Sequence, residues 1–215
     1  MAERKRWSPR KWEEYALALV SANRIQANQK FSKIDTVIYT FANYGAQEFL
    51  MNWVASLMMT NHTRFVVFCF DIEMYTFLLE HGFEKQATMI PERWTKHKSL
   101  PLSRKAAFEN MTDFQALDTP NYKYLTLVRH LVTLNVWRNL HIAVLSCDAD
   151  VVFLSPHVID YIVSNHEVEG SSIVFQKDEN RDLSKFHPKP ITIVKSNNKL
   201  HNRCGVLLGV SDSVC

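Results

Sequence analysis

The stretch from Leu140 to Pro156, L-H-I-A-V-L-S-C-D-A-D-V-V-F-L-S-P, leaves this chain few options, because an apolar run stops abruptly at two carboxylates. Ile142, Val144 and Leu145 have the apolar, β-branched character of a strand buried on both faces, which is what a parallel sheet requires. The strand is expected to end near Cys147. In extended chain, residues two apart share a side, so Asp148 and Asp150 are expected to present their oxygens together. Two carboxylates that close repel each other unless a cation sits between them. Hard oxygen donors with few protein companions suit Mn²⁺ or Mg²⁺ that is also bound by a phosphate. Open α/β sheets bind ligands beyond the carboxyl ends of their strands, where this pair lies. The competing reading is that both are ordinary turn or capping acids, since D-x-D by itself is a weak signal.

The segments before this stretch alternate strand and helix. Ser8-Pro9 is expected to cap a helix running to about Asn28, lying outside the main fold, with Trp12, Tyr15 and Leu19 as its apolar stripe. That stripe has two readings, a docking surface for a partner or membrane, or packing against its own domain. Thr36 to Phe41 reads as the first strand, followed by an Asn43-Tyr44-Gly45 turn and a helix over about 46–59. Thr40, Phe41, Ala42 and Asn43 are candidates for holding a base or ribose through backbone groups and the Asn43 amide. Arg64 to Phe70 reads as a second strand, Asp71 as a cap or site residue, and Ile72 to His81 as a helix closed by Gly82.

A weaker strand is expected near Gln86 to Ile90, then a mobile loop from Pro91 to Thr119 over the cleft. A long helix opens at Pro120, with Tyr124, Leu127, Val128, Leu131, Leu134 and Trp137 on its apolar side. Arg129 on that helix is a candidate for bidentate contact with phosphate, against the plainer reading of a solvated helix-face arginine. Past Pro156 the pattern predicts a short helix to about Asn165. A strand over Ser172 to Gln176 follows, with Asp178 just beyond it, then a loop around Ile191 to Val194 and a strand over Cys204 to Val210.

With 47% hydrophobic residues over 215, five Gly and seven Pro, the chain is read as one α/β domain with little flexible linker. A formal net charge of +3 demands no nucleic acid partner, and no apolar run approaches a membrane span. Cys69, Cys147, Cys204 and Cys215 lack C-x-x-C spacing and read as buried thiols. The absence of a signal-peptide core after Met1 predicts a cytosolic chain, while Asn61-His62-Thr63 and Asn110-Met111-Thr112 are glycosylation sequons that matter only in a lumen.

Several separated blocks line up in order with one family. Phe41-Ala42-Asn43, Asn52-Trp53-Val54-Ala55-Ser56-Leu57, Val66 to Asp71 and Leu145-Ser146-Cys147-Asp148-Ala149-Asp150-Val151-Val152-Phe153-Leu154 resemble the nucleotide-diphospho-sugar transferases of glycosyltransferase family 77. The match covers roughly residues 35–210, and the Asn-Trp pair and the extended acidic block are far more specific than D-x-D alone. The resemblance implies a GT-A fold, a three-layer α/β/α sandwich with a mostly parallel central sheet, over 33–215. Residues 1–32 are then an N-terminal helical extension. It implies a nucleotide-sugar donor, with a UDP-sugar expected, a glycan or glycoprotein acceptor, and the Golgi lumen. Arg129 resembles the family's basic residue before the D-x-D strand, and Asp178 the aspartate closing the next strand, in company with Gln176. Arg203-Cys204-Gly205 stands where the family has Asn-Thr-Gly lining the donor sugar, which makes Gly205 a donor-site candidate. The family's acceptor-binding region and late metal-coordinating histidine are expected beyond Cys215, so the domain is read as incomplete.

On this reading Asp150 and Asp148 hold Mn²⁺ or Mg²⁺ against the donor diphosphate, Asp148 also touches ribose or sugar, and Arg129 shares the charge of the leaving group. Two alternatives stay open. One is a truncated transferase-fold module that binds nucleotide without turnover. The other is a Mg²⁺-dependent phosphohydrolase, whose D-x-D-x-T pattern meets Val152 at the threonine position.

Overall fold

The computed structural model describes residues 7–26, 35–96 and 120–162, together with two short strands at 174–176 and 193–195. The chain is an α/β protein built on a four-stranded, all-parallel sheet of β1 (Thr36–Ala42), β2 (Val66–Cys69), β3 (Ala87–Met89) and β4 (Ala143–Ser146), in the order β3-β2-β1-β4. Parallel neighbours need crossover connections. Helices α2 (Gln47–Met59) and α3 (Ile72–Glu80) connect β1 to β2 and β2 to β3, while α4 (Pro120–Leu140) delivers the chain to β4.

Every residue of β1 is buried, as expected of an interior strand with both faces covered. Strand alternation sorts its side chains into two cores. Ile38 and Ala42 join Val67, Cys69 and Leu145 under Leu50, Trp53 and Leu57 of α2 and Met74 and Leu78 of α3. Val37, Tyr39 and Phe41 join Val66, Phe68 and Val144 under α1 (Pro9–Ala22) and α4. Phe41 and Phe68 lie side by side in register, their rings stacked at 5.4 Å.

Helix α1 begins as expected, with Ser8 Oγ accepting from the Lys11 amide at 3.3 Å and Pro9 in the first turn. It ends at Ala22, earlier than the expected Asn28. The Asn23 side-chain amide donates to the carbonyls of Leu19 (3.0 Å) and Lys85 (2.7 Å), which ties the helix off and anchors it beside the turn before β3. Rather than standing outside the main fold, α1 buries Ala16, Leu19 and Val20 in the second core. Its Glu13 accepts from Trp94 Nε1 and Arg93 Nη1, each at 3.0 Å. The stripe therefore packs on its own domain.

Three other expectations change. The buried face of α4 is Tyr124, Leu125, Val128, Val132 and Val136, whereas Leu127, Leu131, Leu134 and Trp137 are only half-buried. This helix is apolar round most of its girth, so periodicity alone selects no face, and the compact valines are the ones that meet the sheet. Residues 92–95, expected in a loop over the cleft, form a 3-10 turn with Trp94 and Thr95 buried. The segment around Ile191 to Val194, expected as loop, contains strand β6 (Ile193–Lys195). It pairs antiparallel with β5 (Val174–Gln176), Phe175 opposite Val194. Its β-branched residues favour a strand despite polar surroundings. Asp178, Gly205 and the expected strand over 204–210 lie outside the described residues.

Candidate functional site

The strand order reverses at β1. The chain steps outward from β1 through β2 to β3, then returns to lay β4 on the other side of β1. Open α/β sheets form a crevice at such a reversal, beyond the carboxyl ends of the two strands. Here those ends are Asn43 after β1 and the acidic turn after β4. The ladder between them runs from Thr36 opposite Ala143 to Tyr39 opposite Ser146, and one further bond, Cys147 N to Tyr39 O at 3.0 Å, carries it past β4. Beyond that point the strands part.

The two acids do not sit on extended chain. The Val151 amide donates to the Asp148 carbonyl at 3.3 Å, closing a turn with Ala149 and Asp150 at its centre. The turn replaces the shared face expected from strand alternation. Ala149 is buried against the first core, Asp150 is exposed, and the Asp148 side chain keeps only 14% of its surface. The chain after the turn is fastened to α2. The Phe153 amide donates to Ser56 Oγ at 3.0 Å, and the Phe153 ring meets Trp53 edge-on at 6.3 Å.

Arg129 reaches the turn from α4, its Nη1 donating to Asp148 Oδ1. It is not a solvated helix-face arginine, since its side chain is 26% exposed and its Nε is buried with no hydrogen-bond partner among the described residues. Burial pushes the Asp148 carboxyl above the usual carboxylate range, Arg129 pulls it back, and the Asp150 charge pushes it up again. Burial also drives the neighbouring Cys147 thiol up to about 12, so it is an inert core group. The position of Arg129 is set from behind by a link absent from the sequence reading. Tyr39 Oη donates to Thr133 Oγ1, and Thr133 Oγ1 donates to the Arg129 carbonyl at 2.9 Å. A tyrosine in the middle of a buried strand and a threonine one helical turn after Arg129 were the available signals.

Of the four candidates on β1, Thr40, Phe41 and Ala42 turn their side chains into the two cores, and Asn43, itself buried, stands at the strand's end. Thr40 is fully buried, and its Oγ1 has no hydrogen-bond partner among the described residues. Backbone polarity alternates along a strand, so Phe41, two residues after Tyr39, directs its N–H and C=O to the side that β4 has left. The next acid along, Asp71, caps α3. Its Oδ1 accepts from the Met74 amide at 2.7 Å and its Oδ2 from the Tyr44 amide at 2.9 Å, which clamps the loop after β1 to the loop after β2.

Among the described residues no three His, Cys, Asp or Glu side chains converge as a metal cage. Among the described residues the carboxylate donors beyond the end of β4 are those of Asp148 and Asp150. Two carboxylates fit a hard cation that takes its remaining oxygens from water and substrate phosphate, and a cation there would offset the desolvated Asp148 charge. No family model, curated protein or solved structure matches this chain. Among the described residues no helix is long and apolar enough to cross a membrane.

Proposed function

We propose that this protein is a metal-dependent glycosyltransferase of GT-A fold that moves a sugar from a nucleoside diphosphate donor, a UDP-sugar, to a glycan or glycoprotein acceptor in the Golgi lumen. The carrying observation is the acidic turn Asp148 to Val151 at the strand-order reversal, with a basic side chain already at Asp148. The resemblance of the Asn52-Trp53 and acidic blocks to family 77 supports the same reading, and Trp53 and Phe153 of those blocks are in contact.

When bound, Mn²⁺ or Mg²⁺ supplies Lewis-acid neutralisation of the departing diphosphate. Asp148 and Asp150 would hold it. Arg129 contributes a planar, permanently charged donor set matched to phosphate oxygens. Asn43 and the Phe41 backbone line the facing wall, where the nucleoside end of the donor would lie. Asp71 touches no donor; it holds that wall in place.

Thermal denaturation with UDP, with Mn²⁺ and with both tests the reading, because a ligand that binds the native state raises its stability by mass action. A joint upward shift, lost in Asp150→Ala together with sugar transfer and donor hydrolysis, is the expected result. Unchanged transfer and hydrolysis in Asp150→Ala would sink it.

A further inference from the structure

We propose that Arg129 is a resident counter-ion for Asp148 that opposes binding of a divalent metal alone and is released to the diphosphate when metal and nucleotide arrive together. The inference rests on the nucleotide-sugar reading above and deepens it, by assigning the site an order in which its ligands are accepted. Three observations carry it. Among the described residues Asp148, nearly buried, has one hydrogen-bonding partner, the Arg129 guanidinium, and that partner is a side chain rather than backbone. The guanidinium has five N–H donors in a fixed fork, and its Nε is buried with nothing among the described residues to accept from it. The helix beneath it is pinned by the Tyr39–Thr133 link, so the side chain and not the helix is what can move.

Buried donors are rarely left unpaired, because an unmet one gives up its hydration with nothing in return. Asp148 offers a single oxygen to Arg129. A diphosphate offers several, in the bidentate geometry a guanidinium prefers. A divalent ion entering alone must displace a cation from Asp148 or sit beside it, and both are unfavourable. With the diphosphate present, the guanidinium has a better acceptor, Asp148 passes to the metal, and the repulsion is gone. Metal and nucleotide therefore favour each other's binding through Arg129 as well as through direct coordination, with the equal and reciprocal effect that linkage requires.

The test is calorimetric titration of the full chain with Mn²⁺ alone, UDP alone, and UDP in saturating Mn²⁺. In the native protein, Mn²⁺ is expected to tighten UDP binding on the order of tenfold or more. Arg129→Met should bind Mn²⁺ alone more tightly than the native protein and UDP in Mn²⁺ more weakly. Arg129→Lys, which keeps the charge, should leave Mn²⁺ binding as weak as in the native protein. A role limited to holding the fold would weaken both ligands together. Asp148→Asn gives an independent reading if the methionine variant does not fold: it frees the guanidinium, so UDP without metal should bind more tightly. Mn²⁺ binding unchanged or weaker in Arg129→Met, or unaltered UDP binding in Asp148→Asn, overturns the exchange while leaving the transferase reading intact. No binding of UDP with Mn²⁺ to the native protein overturns both.

Discussion

Asp71 and Asp148 occupy matching places: each stands two residues beyond the end of a strand that flanks β1, and burial pushes each carboxyl above its usual range. Their partners differ. Both oxygens of Asp71 receive backbone amides, from Met74 and Tyr44, which cannot leave without unwinding α3 or the loop after β1. Asp148 receives one flexible side chain, with a second acid beside it. Desolvation of a carboxylate therefore has two meanings. A buried carboxylate satisfied by main chain is scaffold, whereas one balanced by a movable cation is able to change partners.

The sharpest way to break this contrast is to remove each acid and assay sugar transfer. Asp148→Ala is expected to lower kcat on the order of 10²–10³-fold, the scale of losing one electrostatic contact to a developing charge, while Asp71→Ala retains kcat within several-fold. Equal losses would erase the distinction. Stability should rank the two sites in reverse. Asp71→Ala removes a helix cap and strands a second amide, a cost of about 2–4 kcal/mol in denaturant unfolding, whereas exposed Asp150→Ala should stay within about 0.5 kcal/mol.

The pH dependence of unfolding sharpens the Asp71 side. Folding raises its carboxyl above the ordinary 3.8, so the native state binds the proton more readily than the unfolded chain does. This group therefore makes stability fall as pH rises from 3.8 through its raised value, with the full penalty present above it. Asp71→Asn, which carries no charge, should show a shallower decline over that window than the native protein; parallel curves would mean that the group is not desolvated. The smallest effect is expected from Tyr39→Phe, which loses one hydrogen bond to Thr133, worth about 1 kcal/mol in the unfolding midpoint. Because that bond lies behind Arg129, the variant should also weaken UDP binding in Mn²⁺ slightly, and unaltered binding would show that the link is structural only.

The layered architecture was legible because its strands are continuous apolar runs ended by polar residues: Thr36 to Ala42, Val66 to Cys69 and Ala143 to Ser146 each fall within or next to their expected positions. The caps at Ser8 and Asp71 were legible for the same local reason, a short oxygen-bearing side chain before a helical pattern. What failed is what depends on distant partners. The inward face of α4 is decided by where β1 and β2 lie, Asn23 ends α1 through the Lys85 carbonyl 62 residues away, and β6 exists only opposite β5. At the candidate site, the residue types of Asp148, Asp150 and Arg129 were readable, but the turn that carries the two acids and the Arg129–Asp148 pair are products of assembly.

Within the four-stranded sheet, the crevice is the last part to form. Strands β1, β2 and β3 meet through short detours, but Tyr39 must wait for Ser146, more than a hundred residues later, before its open flank is covered. A nascent chain halted inside α4 would carry one wall of the pocket and an unzipped strand margin, a surface prone to pairing with a neighbour's backbone.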